Sequence, residues 1–548
     1  MNERCARHVV VVTVRHPCRY RDMRCAFARA PDYDVSARET GGPLCGIRIV
    51  VGPGVDSGIR GGHDMTYDRR LRLAATAGLL ALGAVLAGCG TDAKTTVAHD
   101  VAATNENPWA LSGAAPNASG PSGPRPGVPD APLHADNGDG GEMDRLALNT
   151  LSDLQDYWGA EYGENFPGTF KPVDHFISWD ANAPKEQSVT FCRSSTYHVV
   201  NAAYCKIDKT VGWDRGKLLP LISGKYGKMA VVMVLAHEYG HSLQDQARLN
   251  GFFTPGIVLE QQADCFAGVF LRHVAEGGSA HFTLNTTDGL NGVLGAAVAV
   301  RDRDPDNPKN VHGSAFERVT AVQIGWSDGA AGCKGITKKE IQERRGGLPT
   351  TFEPGDEENQ MGVDVDGLNA VAAALGRIYP LQNPPAFDYS GIVKLCLKNQ
   401  AAEPVSYCPW MNRIGTDVPE LAKRAGAQPG DDDPLSAVVD GNYNAYVVFI
   451  SRYALAVENE RHLSLSGPET AGLRTACLSG VITTKLSDPA SDPRLTAGDL
   501  DAAVSGLLAD GLAASDTDGK VVPSGYQRLD AYRTGVLDGE AACLNNFK

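Results

Sequence analysis

Two long stretches of the chain repeat their apolar residues at the three-and-four spacing of a helix: 227–248 (GKMAVVMVLAHEYGHSLQDQAR) and 257–274 (IVLEQQADCFAGVFLRHV). A third helix is predicted from Ser314, where Glu317 three residues later completes a capping-box signature. VTFC (189–192) and YCKIDKTVGWD (204–214) instead alternate apolar with polar positions and are β-branched, so they read as strands. The pattern predicts an α+β fold in which a small sheet lies over packed helices.

Regular patterning begins near Leu148. Residues 90–145 are rich in Ala, Gly, Pro, Asn and Asp without an apolar period, the composition of a flexible tether. Upstream, Arg69, Arg70 and Arg72 precede a short apolar run, Leu73 to Gly88. It is too short to cross a hydrocarbon layer of ~30 Å comfortably and reads as a signal peptide. It ends in Leu86-Ala87-Gly88-Cys89, which resembles a bacterial lipobox. That resemblance implies cleavage before Cys89 and lipid attachment to its sulfur, and two acyl chains suffice for stable anchoring. The expected organisation is an upstream extension (1–64), a lipoprotein signal peptide (65–88), a lipid-anchored linker (89–147) and folded domains at 148–335 and 336–548.

The division into two domains rests on an internal repeat. SAFERVTAVQIGWSDGAAGC (314–333) and SGYQRLDAYRTGVLDGEAAC (524–543) share Ser, Arg, Ala, Gly, Asp, Gly, Ala and Cys in register. ADCFAGVF (263–270) answers to TACLSGVI (475–482), and YCKIDKTVGWD to YCPWMNRIGTD (407–417). Eight cysteines follow Cys89, and in an exported chain disulfides are expected. The repeat pairs them as Cys192–Cys205, Cys265–Cys333, Cys396–Cys408 and Cys477–Cys543. The formal charge of −14 argues against nucleic acid as a partner, because phosphate binding needs a positive footprint.

The first apolar helix carries His237-Glu238-x-x-His241. Two histidines four apart share one helix face, so both imidazoles reach one Zn²⁺, and Glu238 is placed to take a proton from its water. A catalytic zinc takes a third protein ligand. Gln244 and Ala247 exclude the metzincin pattern, which needs Gly and His there. The thermolysin-like pattern draws a Glu from the next helix with an Asp four residues later, and Glu260 and Asp264 fit it. One of that pair is expected to bind metal and the other to bond a ligand imidazole, fixing its tautomer.

NAAYCKIDKTVGWD, VLAHEYGHSLQ, LEQQADCFAG and HGSAFERVTAVQIGWSDGAAGC together resemble the neutral zinc metallopeptidase family, including its lipobox-bearing lipoprotein peptidases. The resemblance spans about 190–335 and implies a zincin fold and peptide hydrolysis. Asn201 and Ala202 resemble the Asn-Ala of thermolysin-like substrate edges, where a strand pairs with extended peptide; the bland reading is a turn leading into a strand. His312 is a candidate oxyanion donor, or simply a loop histidine before a helix. DRDPDN (302–307) lacks the Gly and Glu of a Ca²⁺ loop and reads as a solvated turn.

In the second repeat Tyr453, Ala454 and Val457 stand where His237, Glu238 and His241 do. Gly472 and Ala476 stand opposite Glu260 and Asp264, and Val522 opposite His312. The second zincin-like copy is therefore expected to lack the metal site. The function expected is a peptidase with one Zn²⁺ per chain that hydrolyses peptide or protein substrate. Its place is the extracytoplasmic face of a bacterial cell membrane, held there through lipidated Cys89. The alternative is a non-hydrolytic envelope scaffold or peptide-binding module on the same fold.

Overall fold

The computed structural model describes residues 118–302, 311–345, 361–396, 403–426, 435–488, 491–496 and 498–548. The expected extension, signal peptide and lipidation site at Cys89 lie outside the described residues. In chain order the first half comprises β1 (Gly123–Pro124), α1 (Glu142–Asn165), β2 (His175–Trp179), β3 (Thr190–Phe191), β4 (Ser194–Ser195), β5 (Ala202–Cys205) and β6 (Thr210–Asp214). There follow α2 (Leu218–Tyr226), α3 (Lys228–Ala247), α4 (Gly256–Ala275), β7 (Phe282–Thr283), α5 (Asp288–Ala299), α6 (Ala315–Gly335) and α7 (Lys338–Arg345). The second half has α8 (Val365–Ile378), β8 (Ala386–Asp388), β9 (Val405–Cys408), β10 (Arg413–Thr416) and α9 (Val418–Ala422). It ends with α10 (Tyr443–Glu460), α11 (Leu473–Leu486), α12 (Asp499–Ala509) and α13 (Gly525–Asn546).

The fold is mixed α+β, mostly helical with small sheets. Each half holds one three-stranded sheet of the same design. β2 runs parallel to the central β6, and the edge strand β5 antiparallel to it. β8 runs parallel to the central β10, and β9 antiparallel to it. The stretch 204–214 is thus a hairpin rather than one strand, turned at Lys206–Lys209, with Lys209 at φ 61°.

Glycines let the helices of each half approach closely. A Cβ on Gly268 would lie 2.1 Å from Val322 O, and one on Gly325 1.8 Å from Cys265 O. The same contacts recur between α11 and α13, at Gly480 on Tyr532 O and Gly535 on Cys477 O. A disulfide staples each pair, Cys265–Cys333 and Cys477–Cys543, and Cys192–Cys205 and Cys396–Cys408 tie the sheets. The four pairings are those the repeat led us to expect.

Residues 118–147, expected as tether, are instead packed on the fold. β1 pairs with β7, and Asp136 bridges Ile177. Asn149 of α1 accepts from Ala131 N–H at 2.7 Å. Backbone pairing and polar side chains hold the part before α1, and from Glu142 the segment is already helix, with Leu146 and Ala147 in the core. Among the described residues, no helix is long and apolar enough to cross a membrane.

Candidate metal centre

α3 presents His237 and His241 on one face, their rings perpendicular with centroids 4.9 Å apart. α4 crosses α3 at Gly240, where an added Cβ would lie 3.0 Å from the Cα of Ala263. That closeness brings in Glu260. Its Oε2 lies 3.3 Å from His237 Nε2 and 3.7 Å from His241 Nε2. The ligand atoms of the three residues all lie within 4.8 Å of one another, and no other such group of His, Cys, Asp or Glu occurs among the described residues.

The far side of each imidazole is fixed. His237 Nδ1 is 2.8 Å from Asp264 Oδ1, and His241 Nδ1 is 3.0 Å from Gln244 Oε1. Gln244 is anchored in turn by donating to Leu259 O at 2.7 Å. Asp264 is fully buried and also accepts from Arg318 Nη2 of α6 at 2.7 Å. Both Nε2 atoms are left to face Glu260. Two imidazole nitrogens and a carboxylate oxygen, each imidazole oriented from behind, are the donor set a catalytic zinc takes.

The charges agree. Burial opposes a proton on His237, but Asp264, then Glu260 and Glu238, outweigh it and push its pKa up to about 10. Burial likewise opposes charge on Glu260, yet hydrogen bonds from His237 and His241 hold it well below the usual carboxylate range.

Glu238 points to the sheet. Its Oε2 accepts Tyr204 N–H of the edge strand β5 at 3.0 Å. Asp245, one turn beyond His241, accepts from the Tyr204 hydroxyl at 3.2 Å and pairs with Lys206 and Lys209. The edge strand is thus fastened to the HExxH helix at two points. Asn201 is exposed just before β5, its carbonyl taken by Asp214 N–H, and Ala202 is buried at the start of the strand. His312 reaches the cluster, with Nε2 3.9 Å from Glu260 Oε2 and the ring half exposed. Asp302 holds it there, accepting from the backbone of His312 and of Gly313, each at 2.8 Å. So Asp302, read from sequence as part of a solvated turn, is a support of the His312 segment.

Arg318 and the Tyr204 N–H carried no motif that singled them out, and Gln244 and Asp302 entered only through the metzincin and Ca²⁺-loop patterns that the sequence excludes. Only Gln244, one turn after His241 on the same face, could have been found by helical spacing. In the second half, the residues opposite the cluster close the space with apolar packing. Tyr453, Ala454, Val457, Ala476 and Val522 are buried. Tyr453 spends its hydroxyl on Tyr379 O at 2.8 Å. A Cβ on Gly472 would lie 3.1 Å from Val522, in the place of the Glu260–His312 approach.

No family model matches the chain. It is 29% identical over 154 residues to the uncharacterized protein Mb2605 of Mycobacterium bovis, and equally to the uncharacterized protein Rv2575 of Mycobacterium tuberculosis. The match covers 24% of this chain and 53% of each relative, so the chain spans about half the length of the curated relatives it matches. No solved structure matches.

Proposed function

We propose that the chain is a zinc-dependent peptidase of zincin-like fold. In this reading His237, His241 and Glu260 hold the ion, and Asp264 and Gln244 orient the two imidazoles. The observation that carries it is the convergence of those three donors, from two helices, with both rings braced from behind. A bound zinc would supply Lewis acidity and an acidified water. Glu238 takes the proton of the attacking water and hands it to the leaving amine. The substrate lies extended along the free edge of β5, where Asn201 and Ala202 begin the strand, and displaces Glu238 from Tyr204 N–H. His312 is placed to donate to the developing oxyanion.

The two halves are read as a tandem duplication, supported by the matching sheet order and glycine contacts, with the metal site lost from the second. Lipidation at Cys89 would place the enzyme on the extracytoplasmic face of a bacterial membrane. A second reading, a peptide-binding module, draws on the second half, which keeps the fold with a closed apolar core at the corresponding place. Glu238→Gln separates the two. The variant is expected to retain stoichiometric zinc and lose ~10²-fold or more of the cleavage rate on a peptide library. A parent that binds zinc but cuts no peptide in that library supports the module; a Gln variant as active as its parent removes Glu238 from the chemistry.

A further inference from the structure

The metal-free half reaches the metal centre through the start of α6. Asp501 of α12 is buried, and its Oδ2 accepts Ala315 N–H at 2.8 Å while its Oδ1 accepts Phe316 N–H at 3.0 Å. Ser314 Oγ takes Glu317 N–H at 3.3 Å, and Glu317 Oε2 takes Ser314 N–H at 3.0 Å. A helix start leaves four N–H groups without intrahelical partners. Here all four are taken, two of them by the other half of the chain, and the Asp501 carboxylate also suits the positive end of the helix dipole.

The same contact recurs with the halves exchanged. Asn291 of α5 accepts Gly525 N–H, at the start of α13, at 2.7 Å. Asp501 and Gly525 each lie 210 positions after their counterparts, Asn291 and Ala315. This is the reciprocity of an interface with a two-fold axis, where a patch meets its own copy.

What differs is the load each helix carries. One turn into α6, Arg318 holds Asp264, which holds the ring of His237. The segment bearing His312 runs directly into the same helix start. One turn into α13, the corresponding Arg528 donates to Leu508 O at 3.3 Å, and Ala476 stands where Asp264 would be.

We propose that Asp501, from the half without a metal site, is a positioning residue of the metal centre, fixing the start of α6 and through it Arg318, Asp264 and His237. The inference rests on the zinc reading of the site and deepens it, giving the second half a task. The chain supplies its own control, because Asn291→Ala removes the matching cap from a helix that bears no ligand support.

The test uses the full chain, with zinc affinity read by competition against a chromophoric chelator. It also uses amide hydrogen exchange on the zinc-free protein. Asp501→Ala is expected to weaken zinc binding severalfold, up to the ~10-fold that losing a ligand's own hydrogen-bond partner costs. It should also speed exchange both at 315–318 and around His237. Asp501→Asn keeps one acceptor, as Asn291 does, and should lie closer to the parent than to the Ala variant. Asn291→Ala should speed exchange at 525–528 and leave zinc affinity at the parental value. Parental affinity in Asp501→Ala, or an equal loss in Asn291→Ala, overturns the proposal. A parent that binds no zinc defeats the zinc reading alone. Asp501 is then judged by exchange, and unaltered exchange around His237 in both Asp501 variants overturns its role.

Discussion

Asp245 shows how a residue outside the ligand set disciplines the site. It lies on the HExxH helix and ties down the hairpin that supplies the edge strand, through Tyr204, Lys206 and Lys209. Burial would raise its pKa, but the hydrogen bond and charge of Lys209, then Tyr204 and Lys206, win and lower it. A carboxylate held below its unfolded value of ~3.9 adds stability above that pH and loses it as pH falls through the folded value. Asp245→Asn should therefore lower the unfolding free energy at pH 7, by ~0.5–1 kcal/mol, because both lysines are well exposed and solvent screens the pairs. Denaturant titrations at pH 7 and near pH 3 check the sign: the gap between variant and parent should narrow at the lower pH. A gap of the same size at both would mean that Asp245 acts by packing alone.

Among the elements, the crossing of α3 and α4 sets the geometry of the three proposed ligands. Gly240 lies inside the motif itself, and its missing side chain lets the backbone of Ala263 approach. In an open helix Gly→Ala gains about 1 kcal/mol. Here the added methyl meets main chain at 3.0 Å, an overpacking cost of ~1–3 kcal/mol, so the sign should reverse. Gly240→Ala is expected to lower the melting temperature and, by moving α4 with Glu260 and Asp264, to weaken zinc binding in the same chelator competition. Reduced stability with unchanged zinc affinity would show that the ligand positions do not depend on this crossing. The helices themselves were legible in the sequence. Their periods, the Ser314–Glu317 capping box and the four disulfide pairings were readable from local spacing and from comparing the two repeats. The partners Arg318 and Tyr204 were not, since they meet the site across 54 and 34 residues of chain. The ordered run ahead of α1, 118–141, is not legible for a related reason: it is held by backbone pairings with β7 and β2, which leave no period behind.

For the whole molecule, the question is whether two halves mean two folding units. Their buried apolar residues form one continuous core, and α5 and α6 lie against α12 and α13. Each half supplies a polar group that completes a helix start in the other. Arg301 of the first half also donates to Ser436 O at 2.9 Å and to Val438 O at 3.0 Å. A half released from its neighbour would expose apolar surface and leave backbone donors unpaired, each worth ~1–3 kcal/mol when buried and unsatisfied. One cooperative transition is therefore expected for residues 118–548, although multidomain chains of this size commonly unfold in stages. Ligand linkage sharpens the test. An ion bound only to the native state at 100 times its dissociation constant adds ~2.7 kcal/mol to the unit that binds it. On the proposed zinc reading, stripping the ion should then shift a single calorimetric peak as a whole, with calorimetric and van't Hoff enthalpies in agreement before and after. Two resolved peaks, of which only one moves on adding a chelator, would show that the second half stands apart. In that case the reciprocal caps would be contacts of convenience rather than the joint that makes one folding unit of the chain.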